Sequence, residues 1–133
     1  LEKKKLSNFK LILGTEKLKN FYLNSFFLKK NIIISIDFNG DESKWINKIK
    51  DLKRKPELIF MFLKNVGGRG INWKKISYLS RKFESNKFNY AGGVKYLNHI
   101  KKLKCMGFSG VIISSLIHQY ASRDSLTSLE FNF

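Results

Sequence analysis

Proline, cysteine and histidine are nearly missing from this chain, acids are few, and no long apolar run occurs. With one proline and 43% hydrophobic residues in 133, the composition excludes a disordered chain and fits one domain, residues 1–133, able to bury a core. The lone Cys105 cannot form an internal disulfide. With only His99 and His118 beside it, distant in sequence, it offers no metal cluster either, so no metal is expected. Such cysteine usage reads as a reduced, cytoplasmic protein. The apolar stretches fall far short of the roughly 20 residues needed to cross a bilayer, and no signal peptide is present, so no membrane partner is expected. The chain begins at Leu1 and not at a methionine, as a processed, trimmed or incomplete product would.

Acids are scarce against bases: 10 Asp and Glu stand against 26 Lys and Arg, a formal charge of +16. A charge of that size ordinarily raises nucleic acid as a partner. Here the excess is mostly lysine and accompanies abundant Ile, Asn and Phe, residues whose codons are built largely from A and T. Biased base composition accounts for much of it, and the lysines are spread over the helix-length segments. Nucleic acid is therefore not the expected partner.

What is present is a regular alternation. Apolar runs that fit buried parallel strands recur at Phe9–Leu13, Ile32–Asp37, Leu58–Leu63, Phe88–Ala91 and Val111–Ile113. Between them lie helix-length segments. Lys17–Lys30 places Leu18, Phe21, Tyr22 and Ser25 on one side. Ser43–Arg54 carries Trp45, Ile46, Ile49 and Leu52 at helical spacing, with Ser43 as N-cap and Pro56 as stop. Asn72–Phe83 runs through Trp73, Ile76, Tyr78 and Leu79, which read as core, and Lys95–Met106 buries Leu97, Ile100 and Leu103 before Gly107 as C-cap. A further helix start is expected at Ser122–Asp124. The pattern is β(αβ) repeated four times, an α/β protein with parallel strands and right-handed crossovers. Five such strands form either an open doubly wound sheet or the later part of an eight-stranded barrel.

The glycine-rich and polar signals all follow strands: Gly14-Thr15-Glu16, Asp37 to Asp41, Gly67-Gly68-Arg69-Gly70, Gly92-Gly93 and Ser114-Ser115. In a parallel α/β protein these lie on one face, at the C-terminal strand ends, where ligands bind. Gly92-Gly93 and Ser114-Ser115 each come between a strand and a helix, so unhindered backbone N–H groups and two helix N-termini point at one place, the makings of a phosphate site. Either piece alone is equally a tight turn or an N-cap. On this reading Gly93→Asp sets a charge against the phosphate and weakens ligand binding. Gly67, Gly68, Arg69 and Gly70 form a possible substrate loop, the guanidinium adding a bidentate anion contact. That loop fits neither the P-loop nor the dinucleotide fingerprint. Asp37 ends a strongly apolar strand, where a partly desolvated carboxylate suits proton transfer or simply binds a neighbouring loop. His99 reads as a surface residue of its helix, and His118 as a packing or helix-end residue near the mouth.

Leu11-Ile-Leu-Gly-Thr-Glu16, Ile34-Ser-Ile-Asp-Phe38, Tyr90-Ala-Gly-Gly-Val94 and Val111-Ile-Ile-Ser-Ser-Leu-Ile-His118 together resemble the fourth, fifth, seventh and eighth strands of the histidine-biosynthesis barrels. These are the ProFAR isomerases, the cyclase subunits of imidazole glycerol phosphate synthase, and their less characterised archaeal and methylotroph relatives. The resemblance implies the C-terminal portion, about strands 4–8, of a (βα)8 TIM barrel of the ribulose-phosphate-binding type. It implies Asp37 as one of two acid–base catalysts, with Gly92, Gly93, Ser114 and Ser115 holding a phosphate of a phosphorylated ribosyl substrate. It also implies an Amadori-type aldose–ketose isomerisation that needs no metal or organic cofactor. The sixth strand departs from the pattern. Met61 stands where the enzymes carry a threonine, and Lys64 or Val66 where they carry an acid. The Val-Gly-x-x-Gly turn is closer to the uncharacterised isomerase-like relatives, so turnover by this chain alone is in question.

The second catalytic carboxylate belongs on a first strand outside this sequence. The chain is therefore expected to need an N-terminal barrel segment, a separate chain or a second copy to close the fold. Two other readings stand beside it: a flavin mononucleotide-binding or other phosphate-binding barrel, and a basic, non-catalytic nucleic-acid-binding module.

Overall fold

The computed structural model of the chain describes residues 10–16 and 31–121. The amphipathic segment expected at Lys17–Lys30, the start of the first strand at Phe9 and the helix start at Ser122–Asp124 lie outside these residues. Five strands form one sheet: β1 (Leu11–Gly14), β2 (Ile32–Asp37), β3 (Glu57–Met61), β4 (Phe88–Ala91) and β5 (Gly110–Ile112). Each strand pairs in parallel with the next, in the order β1-β2-β3-β4-β5. An open doubly wound sheet reverses direction part-way along its strand order. This sheet never does, so right-handed crossovers place every described connecting helix on one face. That is the winding of consecutive strands in a (βα)8 barrel.

The period-2 alternation of the strands then assigns two faces. Ile32, Ile34, Ile36 and Phe38, with Leu58, Phe60, Phe62, Phe88 and Tyr90, face the helices and form the main core. Phe38 and Phe62 stack there with ring centroids 4.3 Å apart. The opposite, inner face holds a smaller cluster of Ile33, Ile59 and Ala91 with Met61 packed against it. Ser35 and Asp37 share that face by alternation with Ile33. All six residues of β2 are buried, the signature of a strand covered on both sides.

The helices depart from expectation mainly at their ends. Helix α1 spans Glu42–Lys50, with Asp41 and not Ser43 at its N-cap position. The first-turn acid Glu42 complements the helix dipole and accepts the Gly40 N–H at 2.8 Å. It stops before Arg54, because the Pro56 ring clashes with a helical carbonyl four residues back and biases Lys55 to extended backbone. Helix α2 spans Trp73–Lys82, capped by the Asn72 side chain, which accepts the Lys75 N–H at 3.1 Å. Its Tyr78, expected in the core, is 50% exposed. Helix α3 spans Leu97–Cys105 and closes in a Schellman arrangement: Phe108 N–H donates to Leu103 and Gly107 N–H to Lys104, with Gly107 at φ +89. Helix α4 spans Ser115–Ala121. β3 is shorter than expected, because a 3-10 turn at Leu63–Asn65 replaces its last residues.

At the N-terminal end of the inner face the Glu57 carboxylate receives Lys10 Nζ at 2.9 Å and Asn89 Nδ2 at 3.0 Å, with Lys87 Nζ 3.6 Å away. Desolvation raises this carboxyl, but the Lys10 and Asn89 hydrogen bonds and the two ammonium charges outweigh it. They leave its pKa below the ordinary 4.5. No described helix is long and apolar enough to cross a membrane.

Candidate functional site

The loops after the strands build two clefts at the C-terminal end of the sheet. The first, after β1 and β2, is lined by Thr15, Glu16, Asp37, Asn39, Asp41, Lys44 and Trp45 and has a volume of about 190 Å³. Asp37 is 7% exposed and held on both oxygens: Ser35 Oγ donates to Oδ1 at 3.0 Å and the Glu16 N–H to Oδ2 at 2.9 Å. Its own N–H donates to Thr15 Oγ1 at 3.0 Å. A β-carbon on Gly14 would stand 3.2 Å from Oδ2, so the bare glycine leaves room for the carboxylate. Asp37 thus binds the neighbouring loop and lines the cleft as well. A carboxylate oxygen has two lone pairs, so each can still accept a second bond from a ligand.

The second cleft, about 200 Å³, is lined by Met61, Val66, Gly67, Gly68, Ala91, Gly92, Gly93, Val94, Ile112, Ile113, Ser114 and Ser115. It brings together three loops that the sequence leaves far apart. Among the described residues no backbone carbonyl accepts from the N–H groups of Gly92, Gly93 or Ser114. Amides left free in a cleft are the elementary requirement of an anion cradle.

The glycines have structural duties too. At Gly92 (φ +105) an added β-carbon would fall 2.4 Å from the Phe62 carbonyl oxygen, and at Gly93 (φ +82) 2.1 Å from that of Gly70. The expected effect of Gly93→Asp is therefore corrected: the backbone clash acts on the fold before any charge reaches a ligand. Gly92 and Gly93 also do not open a helix, since Val94, Lys95 and Tyr96 separate them from α3.

The possible substrate loop divides. Gly67 and Gly68 line the cleft, while Arg69 does not and is exposed. Gly70 braces the loop: its N–H donates to Gly93 at 3.1 Å and its carbonyl accepts Asn65 Nδ2 at 2.8 Å. The sequence alone singles out Thr15 only as part of the polar turn after β1 and gives Asn65 and Ser35 no role, although the i, i+2 spacing of Ser35 and Asp37 already sets both on one strand face. Met61 opposes Asp37 in register and lines the glycine cleft, so it stands beside the carboxylate at the boundary of the two sites. Lys64 and Val66 are exposed, and the loops after β3, β4 and β5 contain no acid.

The histidines lie outside both clefts. His118 is exposed on α4. His99, expected on the surface, is partly buried between Trp73 and Tyr96, with ring centroids at 5.4 Å and 5.1 Å. Burial first, then the charges of Lys102 and Lys95, hold its imidazole below the usual 6.5. Among the described residues no group of three His, Cys, Asp or Glu side chains could hold a metal ion.

No curated protein and no solved structure matches the chain. Residues 6–123 match the model of a protein family described as histidine biosynthesis protein, and with the parallel, singly wound sheet built by these residues the chain belongs to that family of (βα)8 barrels.

Proposed function

We propose that this chain is the phosphate-binding portion of an isomerase-like barrel that takes a phosphorylated ribosyl ligand, with Asp37 as an acid–base group. The observation that carries this reading is the convergence of three loops on one cleft, with the Gly92, Gly93 and Ser114 amides free to meet phosphate oxygens. Asp37 lines the adjoining cleft, its carboxylate fixed by Ser35 and the Glu16 amide. A group so held can exchange a proton with a ligand without first reorganising. Closing the barrel takes further strands beside β1 and β5, the edge strands of the described sheet, from an N-terminal segment or a second chain. Such strands also supply the second carboxylate that an Amadori-type isomerisation requires.

Titration with ribose 5-phosphate, followed by 31P NMR, tests the cleft. Binding that disappears in Ser114→Glu, with no binding of ribose itself, is the expected result. Equal affinity in the variant removes the cleft as the phosphate site.

A second reading has an observation of its own. Met61, Val66, Val94, Ile112 and Ile113 give the cleft a mostly aliphatic wall, which suits a ligand with a flat ring beside its phosphate, such as flavin mononucleotide. Flavin absorbance in the purified protein would favour it.

A further inference from the structure

The charge of the chain is unevenly placed. Residues 62–121 carry eleven Lys and Arg against one acid, Glu84, whereas the described residues before them carry seven against six. Both stretches come from one chain with one codon bias, so base composition does not account for the difference between them. The part of the fold built on β4 with helices α2 and α3 is the basic part.

Within it, the N-terminal ends of α2 and α3 carry a row of three rings. His99 meets Trp73 edge-on at 5.4 Å and 87°, and Tyr96 at 5.1 Å and 84°. Lys102 Nζ lies 4.2 Å from the Trp73 ring centroid, and Lys95 Nζ lies 5.3 Å from that of Tyr96. Both ammonium groups act on His99, yet neither has an acidic partner among the described residues. The Lys95 N–H donates to His99 Nδ1 at 3.4 Å, which leaves the imidazole proton on Nε2 as a further donor. Tyr96 is 52% exposed, a large ring left in water at one end of the row, beside Lys95. Like charges gathered beside aromatic rings repel one another until an anion joins them. A ligand with phosphates next to flat rings satisfies both features at once.

We propose that this shoulder binds single-stranded nucleic acid, with a base stacked on Tyr96 and the flanking phosphates held by Lys95 and Lys102. An acidic peptide would answer the ammonium groups but would leave Tyr96 exposed.

The test is fluorescence anisotropy of a labelled oligothymidylate of about 12 nucleotides, a length within the range one small domain covers, with the intact chain at 50 and 200 mM salt. The chain binds, and binding weakens with salt. Lys95→Gln with Lys102→Gln weakens it about tenfold or more at 50 mM and reduces the salt slope by about 1.4, the share of two phosphate contacts on a single strand. Tyr96→Ala weakens it about fivefold or more through lost stacking and leaves the slope unchanged, and it carries the test by itself if the double variant does not fold. Lys48→Gln with Lys53→Gln, on and beyond α1, serves as the charge control and changes affinity less than twofold. The proposal is overturned if the chain does not bind the oligonucleotide, or if both lysine pairs have equal effects. Displacement by polyglutamate as effective as by unlabelled oligonucleotide overturns it too, as does a free mononucleotide that binds as tightly.

Discussion

The carbonyl oxygen of Gly70 occupies the place a side chain on Gly93 would need, 2.1 Å from an ideal β-carbon, while the Gly70 N–H donates to the Gly93 carbonyl at 3.1 Å. The loops after β3 and β4, both of which line the glycine-rich cleft, are thereby locked backbone to backbone.

Gly93→Ala should destabilise the chain by more than about 2 kcal/mol, combining the penalty for a β-carbon at positive φ with the overlap against Gly70. Urea denaturation measures it. A stability equal to the parent would mean that the loops separate at little cost.

Asp37→Asn keeps the shape of the side chain and removes its charge. In a completed barrel it should abolish turnover while leaving ribose 5-phosphate binding at the other cleft unchanged. Ser35→Ala, which removes one bond to the carboxylate, should cost about 1 kcal/mol of stability. Full turnover by the Asn variant would take Asp37 out of the mechanism.

Tyr90 is fully buried on the helix-facing side, and its hydroxyl has no hydrogen-bond partner among the described residues. Burial pushes its phenol pKa up, so it stays neutral. Tyr90→Phe removes a desolvated polar atom and keeps the ring against Phe62 and Phe108. It should leave stability unchanged or raise it by up to about 1 kcal/mol, read as a higher melting temperature. A marked loss would reveal a partner for the hydroxyl.

The Glu57 cluster predicts a pH dependence. Its carboxyl titrates below 4.5 in the fold and near 4.5 in the unfolded chain. The stability it contributes is present above about pH 4.5 and is lost as pH falls through the folded value. Denaturation midpoints of the parent and Glu57→Gln, compared between pH 6 and pH 3, should therefore converge at the acid end. Parallel curves across that range would deny the linkage.

His99 gives a second titration. Its folded pKa lies below 6.5, so protonation favours the unfolded chain, and stability falls as pH drops from 6.5 toward the folded value. An imidazole NMR titration should place His99 below the ordinary 6.5. A value above 6.5 would mean that neither burial nor the charges of Lys102 and Lys95 govern the imidazole.

The strand pattern was legible because it depends on local chemistry. Ile32 to Ile36 is apolar but for Ser35, and the spacing of Trp45, Ile46 and Ile49 or of Ile76 and Leu79 is that of an amphipathic helix. The glycine and serine positions were legible as loop ends for the same reason. Tyr78 misled because its large ring reads as core, although two residues past Ile76 it lies about 200° round the helix, on the water side. Gly93 read as a ligand contact because nothing in Ala-Gly-Gly-Val shows that Gly70, more than twenty residues earlier, presses against it.

By itself, then, the sequence determined the α/β alternation and the strand-end location of the polar residues, which follow from side-chain polarity repeating every two or 3.6 residues. The family was carried instead by the particular residues of its strand-end motifs. Only the tertiary structure decided that three loops share one cleft, that Asp37 lies in another beside Met61, and that Lys95 and Lys102 converge on His99. Register between strands and the crossing of loops are set by packing between residues distant in the chain, and no local pattern encodes them.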